Sequence, residues 1–286
     1  MTTLVYIDGL PVSRADATIS IFDHGFLFGD SVYEVMRTVA GQPFAWSPHL
    51  ERLFTSAAQI GLAIPWDSEQ LHAELLAISR RPELGPDAYL RIIVTRGVGE
   101  LNIDPSSCRQ PSRIVIARPL QSPPPEVYRD GLKLALVSTL RNSRHATNPG
   151  IKSGNYLNNV LALMEARSCG ADEAVMLNEH GHVTECTTSN LFVIEGQRLA
   201  TPALECGLLA GVTRALVLAQ ARELGIDAHE ERIAPERLAA ADELFITSTT
   251  RDIVPVAQVD GHPLPKPCPG LVTRRLMAAF RSDPRA

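Results

Sequence analysis

Polar and apolar positions alternate along some stretches of this chain and recur at helical spacing along others, and the two periods divide it into short strands and medium-length helices. Residues 4–7 and 10–12 are apolar-rich and flank Asp8-Gly9, which predicts two antiparallel strands joined by a tight turn. In 20–39 two aromatic-rich segments are joined by Gly25 and Gly29, a combination that can line a pocket with rings while bringing backbone close to a ligand. Phe22 and Phe26 themselves read as core packing. Ser47, Pro48, the stripe Leu50, Leu53, Phe54, Ala57 and Ile60, and then Gly61 predict a helix with its cap at Ser47, its first-turn proline and its terminal glycine in place. Arg52 lies beside that stripe. A second helix over 68–80, a strand over 88–95, a glycine-containing loop over 96–105 and a strand over 113–117 follow.

The prolines at 123–125 are stiff and unsuited to a central strand, so 121–130 reads as a linker between a small N-terminal α/β domain (1–120) and a large C-terminal domain (131–286) that carries Lys152. Beyond it a strand over 132–138 leads through a polar run, 141–150, to Lys152. Leu157, Val160, Leu161 and Met164 then recur at helical spacing in a helix ending near Gly170. Two strand–turn–strand patterns occupy 173–185 and 190–201. A helix entered at Gly211-Val212-Thr213 closes at Leu224-Gly225, another begins at Pro235, and a buried-type strand over 243–247 runs into Ser248-Thr249-Thr250. The class is α/β (α+β).

With 286 residues, 45% of them hydrophobic and 21% charged, the chain is long enough for two modest cores, and its net charge of −5 with both signs interspersed gives no electrostatic footprint for nucleic acid or an anionic membrane. Small metabolites are the partners this composition favours. Five widely spaced cysteines without a C-x-x-C pair read as reduced thiols and give no metal or dithiol motif, and Gly181 between His180 and His182 reads as a turn. The first residues lack a signal-peptide pattern and no apolar run is long enough to span a bilayer, so a cytoplasmic location is expected.

Two features carry chemistry. Lys152, at the mouth of a helix, is either a solvated surface amine or a nucleophile whose proton is loosened by desolvation and neighbouring cations. The helix start at Gly211-Val212-Thr213 offers free N–H groups and a hydroxyl at its positive end, where a phosphate can sit, and the hydroxyls of 247–250 offer more.

Taken together, Asp23-His24-Gly25, Val32-Tyr33-Glu34, His49-Leu50-Glu51-Arg52, Lys152-Ser153-Gly154-Asn155-Tyr156, Glu185-Cys186-Thr187-Thr188-Ser189-Asn190, Gly211-Val212-Thr213-Arg214 and Thr247-Ser248-Thr249-Thr250 resemble the class IV, or fold type IV, pyridoxal-phosphate aminotransferases over nearly the whole chain. The resemblance implies a homodimer of two-domain subunits with the active site between the domains, and pyridoxal 5′-phosphate as cofactor. It implies Lys152 as the residue joined to the cofactor aldehyde and moving the substrate Cα proton. Glu185 becomes the carboxylate on the pyridine nitrogen, Tyr156 the neighbour of the phenolic oxygen, Leu209 the residue packed on the ring, and Arg52, Val212, Thr213 and Thr249 the phosphate group.

Substrates are then an amino acid and a 2-oxo acid such as 2-oxoglutarate or pyruvate. The motif of Phe28, Tyr33, Glu34, Val35 and Arg37 resembles D-amino-acid transaminases, whereas Tyr89, Arg91 and the loop over 97–105 resemble branched-chain L-amino-acid aminotransferases. The Arg-x-His pair that holds the substrate carboxylate in typical D-amino-acid enzymes would fall at Leu101 and Ile103 and is absent. Arg91 and Arg37 are the candidate replacements, with Arg96 nearby. In the branched-chain alternative Thr249 and Thr250 receive the α-carboxylate, and Arg91 with Tyr89 the distal one. Tyr33 and Val35 tip the reading to D-amino acids. 4-Amino-4-deoxychorismate lyase and a non-catalytic small-molecule sensor on the same fold are the remaining alternatives.

Overall fold

In the computed structural model, which describes residues 2–282, Asp8 (φ 50°) and Gly9 (φ 84°) form the tight turn between β1 (Leu4–Ile7) and β2 (Leu10–Val12) that the sequence predicts. Further along come α1 (His24–Phe28), β3 (Ser31–Val39), β4 (Gln42–Pro43), α2 (Trp46–Gln59), α3 (Ser68–Ser79), β5 (Ala88–Thr95) and β6 (Ser112–Pro119). The six strands make one antiparallel sheet in the order β2-β1-β6-β5-β3-β4. Period-2 alternation gives that sheet two unlike faces. Val32, Met36, Leu90, Ile92, Val94, Val115 and Ala117 pack against Leu50, Leu53, Leu71, Leu75 and Ile78 of α2 and α3, a core whose full-sized side chains each contribute about 1.5–3 kcal/mol by burial. Tyr33, Val35, Arg37, Tyr89, Arg91, Ile116 and Arg118 share the other face by their cross-strand register.

Helix α2 starts earlier than its sequence suggests. Its cap is Ala45, in the left-handed region with no side-chain hydrogen bond, and Ser47 and Pro48 lie inside the first turn. Trp46 sets this start, because its buried indole Nε1 donates to the Arg37 carbonyl at 2.8 Å. Phe22 and Phe26 are 46% and 63% exposed rather than in the core, since α1 is a single short turn that buries only His24.

The described residues divide into two units. The first runs to Gln121 and includes Ile151–Asn155; the second holds Ser122–Gly150 and the chain from Tyr156 onward. The lysine segment therefore groups with the N-terminal unit, whereas the sequence reading put it with the C-terminal one. The cause is pairing with β3, where Gly154 N–H donates to the Ser31 carbonyl at 2.9 Å and Val32 bridges Ser153. The expected linker also contains structure, because Pro124 and Pro125 open α4 (Pro125–Asp130), as proline can at a helix start.

In the second unit β7 (Leu132–Leu136), α5 (Leu157–Ser168), β8 (Glu173–Leu177), β9 (Val183–Cys186), β10 (Asn190–Glu195), β11 (Arg198–Pro202), α6 (Val212–Glu223), β12 (Asp227–Glu231), α7 (Glu236–Ala240), β13 (Glu243–Ser248), β14 (Asp252–Val259), β15 (His262–Pro263) and α8 (Leu271–Ser282) follow α4. The strands form a mixed sheet, β12-β11-β10-β13-β14-β7-β8-β9, with β15 on β14. Its core gathers Val175, Val183, Leu191, Val193, Leu244, Ile246, Val254 and Val256. Helix α5 inverts its expected polarity, since Asn159, Ala162 and Ala166 face inward while Leu157, Val160, Leu161 and Met164 are 70%, 49%, 49% and 64% exposed. Among the described residues no helix is long and apolar enough to cross a membrane.

Candidate active site

The backbone of Lys152 is fixed on two sides. Its carbonyl accepts from Tyr33 N–H at 3.0 Å, and its own N–H donates to Ser56 Oγ of α2 at 3.2 Å. Nearby, Gly29 in the left-handed region (φ 69°) lets the Asn155 amide approach, where a Cβ would lie 2.4 Å from Asn155 Oδ1. The Lys152 ammonium lies 4.6 Å from the centroid of the Tyr33 ring and the Arg91 guanidinium 4.1 Å from the same centroid, so one buried ring carries both cations.

The next residue of β3, Glu34, points to the opposite face, where it is fully buried. Its carboxylate accepts from Arg52 Nε at 2.6 Å and Nη2 at 2.9 Å, and lies 2.8 Å from His49 Nδ1. Burial alone would raise its pKa, but the charge of Arg52 and the hydrogen bonds from Arg52 and His49 override it and hold the carboxyl at about 2. Burial, the largest influence, lowers the His49 pKa; Glu34 works against it, the charges of Arg52 and Lys152 work with it, and the net direction is down. His49 is thus a neutral imidazole that orients Glu34, and Glu34 in turn holds the Arg52 guanidinium in a fixed fork.

Unfolding returns His49 to its ordinary 6.5 and Glu34 from about 2 to 4.5, so the unfolded chain binds protons that the folded one refuses. The contribution of both groups is full above pH 6.5, weakens below that through His49, and is lost through Glu34 between 4.5 and about 2. For Glu34 it amounts to about 3 kcal/mol. Glu34→Gln is expected to lower the urea midpoint at neutral pH and to flatten its decline in the more acid window; a variant with the wild-type profile would contradict the assignment.

In the second unit, Glu185 near the end of β9 has both carboxylate oxygens engaged. Oε1 takes Arg141 Nε and Nη2, each at 3.0 Å, and Oε2 takes the Leu209 N–H at 3.2 Å and Asn190 Nδ2 at 3.4 Å. The remaining Arg141 nitrogen donates to Asn158 and Asn159 Oδ1, and Asn159 Nδ2 reaches the Thr187 carbonyl at 2.7 Å. Glu185 is therefore a buried, oriented carboxylate held by Arg141, by Asn190 at the start of β10 and by the Leu209 N–H, while the first turn of α5, which Tyr156 caps, braces Arg141.

Asn190 Nδ2 also donates to the Leu209 carbonyl at 3.0 Å, tying β10 to the segment before α6. There Gly211 is obligatory, because a Cβ would lie 1.9 Å from Asn190 Oδ1. Val212 and Thr213 form the first turn of α6, and the buried Thr213 hydroxyl, 2% exposed, has no hydrogen-bond partner among the described residues. An orphaned donor beside free helix N–H groups suits a phosphate.

Among the other sequence candidates, Arg37 is buried with its guanidinium 4.3 Å from the Phe44 centroid, Tyr89 lies under Arg118 at 4.6 Å, Phe28 ends α1 half exposed, and Thr249 and Thr250 sit half-buried in the turn after β13. Arg96 is spoken for by a double hydrogen bond to Asp30 and by the carbonyls of Ile60 and Gly61. Sequence reasoning missed Arg141, Asn190, Glu34 and His49 as parts of these arrangements. His49 and Arg52, one helical turn apart, were the available signal.

The family profile described as amino-transferase class IV matches residues 31–259. The chain belongs to the class IV aminotransferases. This aminotransferase is 40% identical over 277 residues, 97% of the chain and 95% of the relative, to a protein of Methanocaldococcus jannaschii named provisionally as a branched-chain-amino-acid aminotransferase. It is 36% identical over 281 residues, 96% and 94% of the two chains, to a D-alanine aminotransferase of Listeria monocytogenes. The branched-chain aminotransferase of the thermophilic archaeon Thermoproteus uzoniensis, solved with norvaline, superposes with a TM-score of 0.90 at 31% identity, covering 97% of this chain and 93% of that one. The cofactor of the class is pyridoxal 5′-phosphate, and the fold type IV architecture is that of its solved members.

Proposed function

We propose that this aminotransferase moves the amino group of a D-amino acid to a 2-oxo acid, with Lys152 and Glu185 as its catalytic residues and Arg91 as the cation that receives the substrate carboxylate. The observation that carries the reading is the single Tyr33 ring shared by the Lys152 ammonium and the Arg91 guanidinium. An α-carboxylate on Arg91 brings the adjacent Cα toward the amine that must move its proton. Arg96, tied to Asp30, has no such freedom.

Bound to these residues, pyridoxal phosphate supplies an electron sink for the charge left at Cα. Lys152 Nζ would anchor the cofactor and then carry the proton to and from Cα. Glu185, held by Arg141, Asn190 and Leu209, would supply the negative charge that keeps a proton on the ring nitrogen. The N–H groups of Val212 and Thr213, the Thr213 hydroxyl, Thr249 and Arg52 would hold the phosphate, and Leu209 and Tyr156 would hold the ring. Phe28, Tyr89, Arg37 and Thr250 complete the substrate contacts.

Holoenzyme incubated with D-alanine and no acceptor is expected to lose its visible band and form pyruvate. L-leucine doing so instead would overturn the stereochemical reading in favour of a branched-chain enzyme, the alternative that the Methanocaldococcus jannaschii relative favours. Release of 4-aminobenzoate and pyruvate from aminodeoxychorismate would mark a lyase, and cofactor binding without turnover a sensor.

The exposed stripe of α5 supports a homodimer. Leu157, Val160, Leu161 and Met164 form a contiguous apolar face that a second copy would cover. Light scattering is expected to give twice the 31.1 kDa chain mass, and Leu161→Glu with Met164→Glu to shift it toward the monomer. A monomeric wild type would refute this.

A further inference from the structure

Strand β8 is apolar except for Glu173 at its start, which is buried. A carboxylate in that place is costly unless it is paired and hydrogen-bonded, and this one is engaged on both oxygens. Oε1 accepts from the Thr187 N–H at 3.2 Å and from the Thr187 hydroxyl, and Oε2 accepts from Thr188 Oγ1 at 3.3 Å and from Arg251 Nη2 at 3.4 Å.

These partners belong to two different turns. Cys186 N–H donates to the Ser189 carbonyl at 2.8 Å and closes the turn between β9 and β10, with Thr187 and Thr188 at its tip. Arg251 N–H donates to the Ser248 carbonyl at 3.2 Å and closes the turn between β13 and β14, with Thr249 and Thr250 at its tip. The ladder between β10 and β13 ends at Asn190 opposite Thr247, so both turns lie beyond it and are joined by side chains. Arg251 is the second half of the joint, because Nη2 also donates to Thr188 Oγ1 at 2.9 Å and Nε to Ser248 Oγ at 3.2 Å. From Thr187 the path runs inward. Its carbonyl accepts from Asn159 Nδ2, and Asn159 Oδ1 accepts from Arg141, the partner of Glu185. One chain of hydrogen bonds therefore connects the turn of Thr249 to the Glu185 carboxylate.

We propose that Glu173, acting through Arg251 and Thr187, is a positioning residue that sets the Thr249-Thr250 turn in place relative to Glu185, so that the donors for the cofactor phosphate are fixed before it binds. The inference rests on the reading that Thr249 holds that phosphate. Donors that must be ordered on binding cost affinity, and a buried ion pair behind the turn removes that cost.

The test follows cofactor loss from diluted holoenzyme, by the fall of its visible band, in wild type, Glu173→Gln, Arg251→Gln and Arg251→Lys, and records the phosphorus NMR signal of the bound cofactor against pH. Loss of a charge-assisted contact predicts release roughly tenfold faster in Glu173→Gln and Arg251→Gln, with Arg251→Lys between. The phosphorus signal, constant with pH in the wild type, is expected to titrate in both Gln variants near the ordinary phosphate pKa of about 6. The Arg251 side chain is 25% exposed, so its variants are expected to fold even where Glu173→Gln does not. A lower melting temperature with wild-type release and a pH-constant signal would assign the pair to stability alone and overturn the proposal. Thr249→Val separates the underlying reading. Wild-type release from that variant would overturn the phosphate assignment and this inference together, whereas fast release from it beside wild-type behaviour of the other three would overturn the role of Glu173 alone.

Discussion

Lys152→Ala is expected to abolish transamination, with a loss of about ten-thousandfold or more, and to remove the visible absorption of the purified protein. In the proposed function both losses have one origin, since the same amine would carry the cofactor and relay the Cα proton. The fold should survive. Lys152 is anchored by its carbonyl to Tyr33 N–H and by its N–H to Ser56 Oγ, backbone contacts that alanine retains, and the ammonium gives up only its position over the Tyr33 ring. Thermal melting near the wild-type value together with full loss of turnover is the expected pair of results. Retained turnover would show that another group performs the chemistry.

Glu185→Gln is expected to keep the cofactor while lowering kcat about 100- to 1000-fold, the scale of removing one preorganised charge from a reacting centre. It has a second consequence, because Arg141 would be left as a buried guanidinium facing a neutral amide. Breaking such a pair typically costs about 3–5 kcal/mol, whereas replacing both members is far better tolerated. The double variant Arg141→Met, Glu185→Gln is therefore expected to regain much of the stability that the single variant loses, without regaining turnover. A double variant that recovers activity would mean that the carboxylate serves Arg141 and not the ring nitrogen.

Much of the fold was legible because its cause is local. The strands of the first sheet announce themselves by alternation, and Asp8-Gly9 specifies its turn by the positive φ of both residues. Other features depend on contacts distant in sequence. Ala45 caps α2 because the Trp46 indole is tethered to Arg37, and no local cap signal encodes that. The α5 stripe has the right period, but periodicity shows only that one face is apolar, never which surface covers it.

The site divides along the same line. Lys152, Glu185 and the start of α6 stand in recognisable motifs, whereas Arg141 lies in a polar run with no pattern and is defined only by the carboxylate it meets. Glu34 stands in a motif that resembles D-amino-acid transaminases, but its role in holding Arg52 becomes visible only when the fold brings His49 and Arg52 beside it.

The central claim is that Lys152 holds the cofactor. Purified holoenzyme reduced with borohydride, digested and mapped by mass spectrometry should carry its pyridoxyl group on the peptide containing Lys152. The chain has two other lysines, Lys133 and Lys266, and a pyridoxyl group on either of them, or on none, would contradict the account.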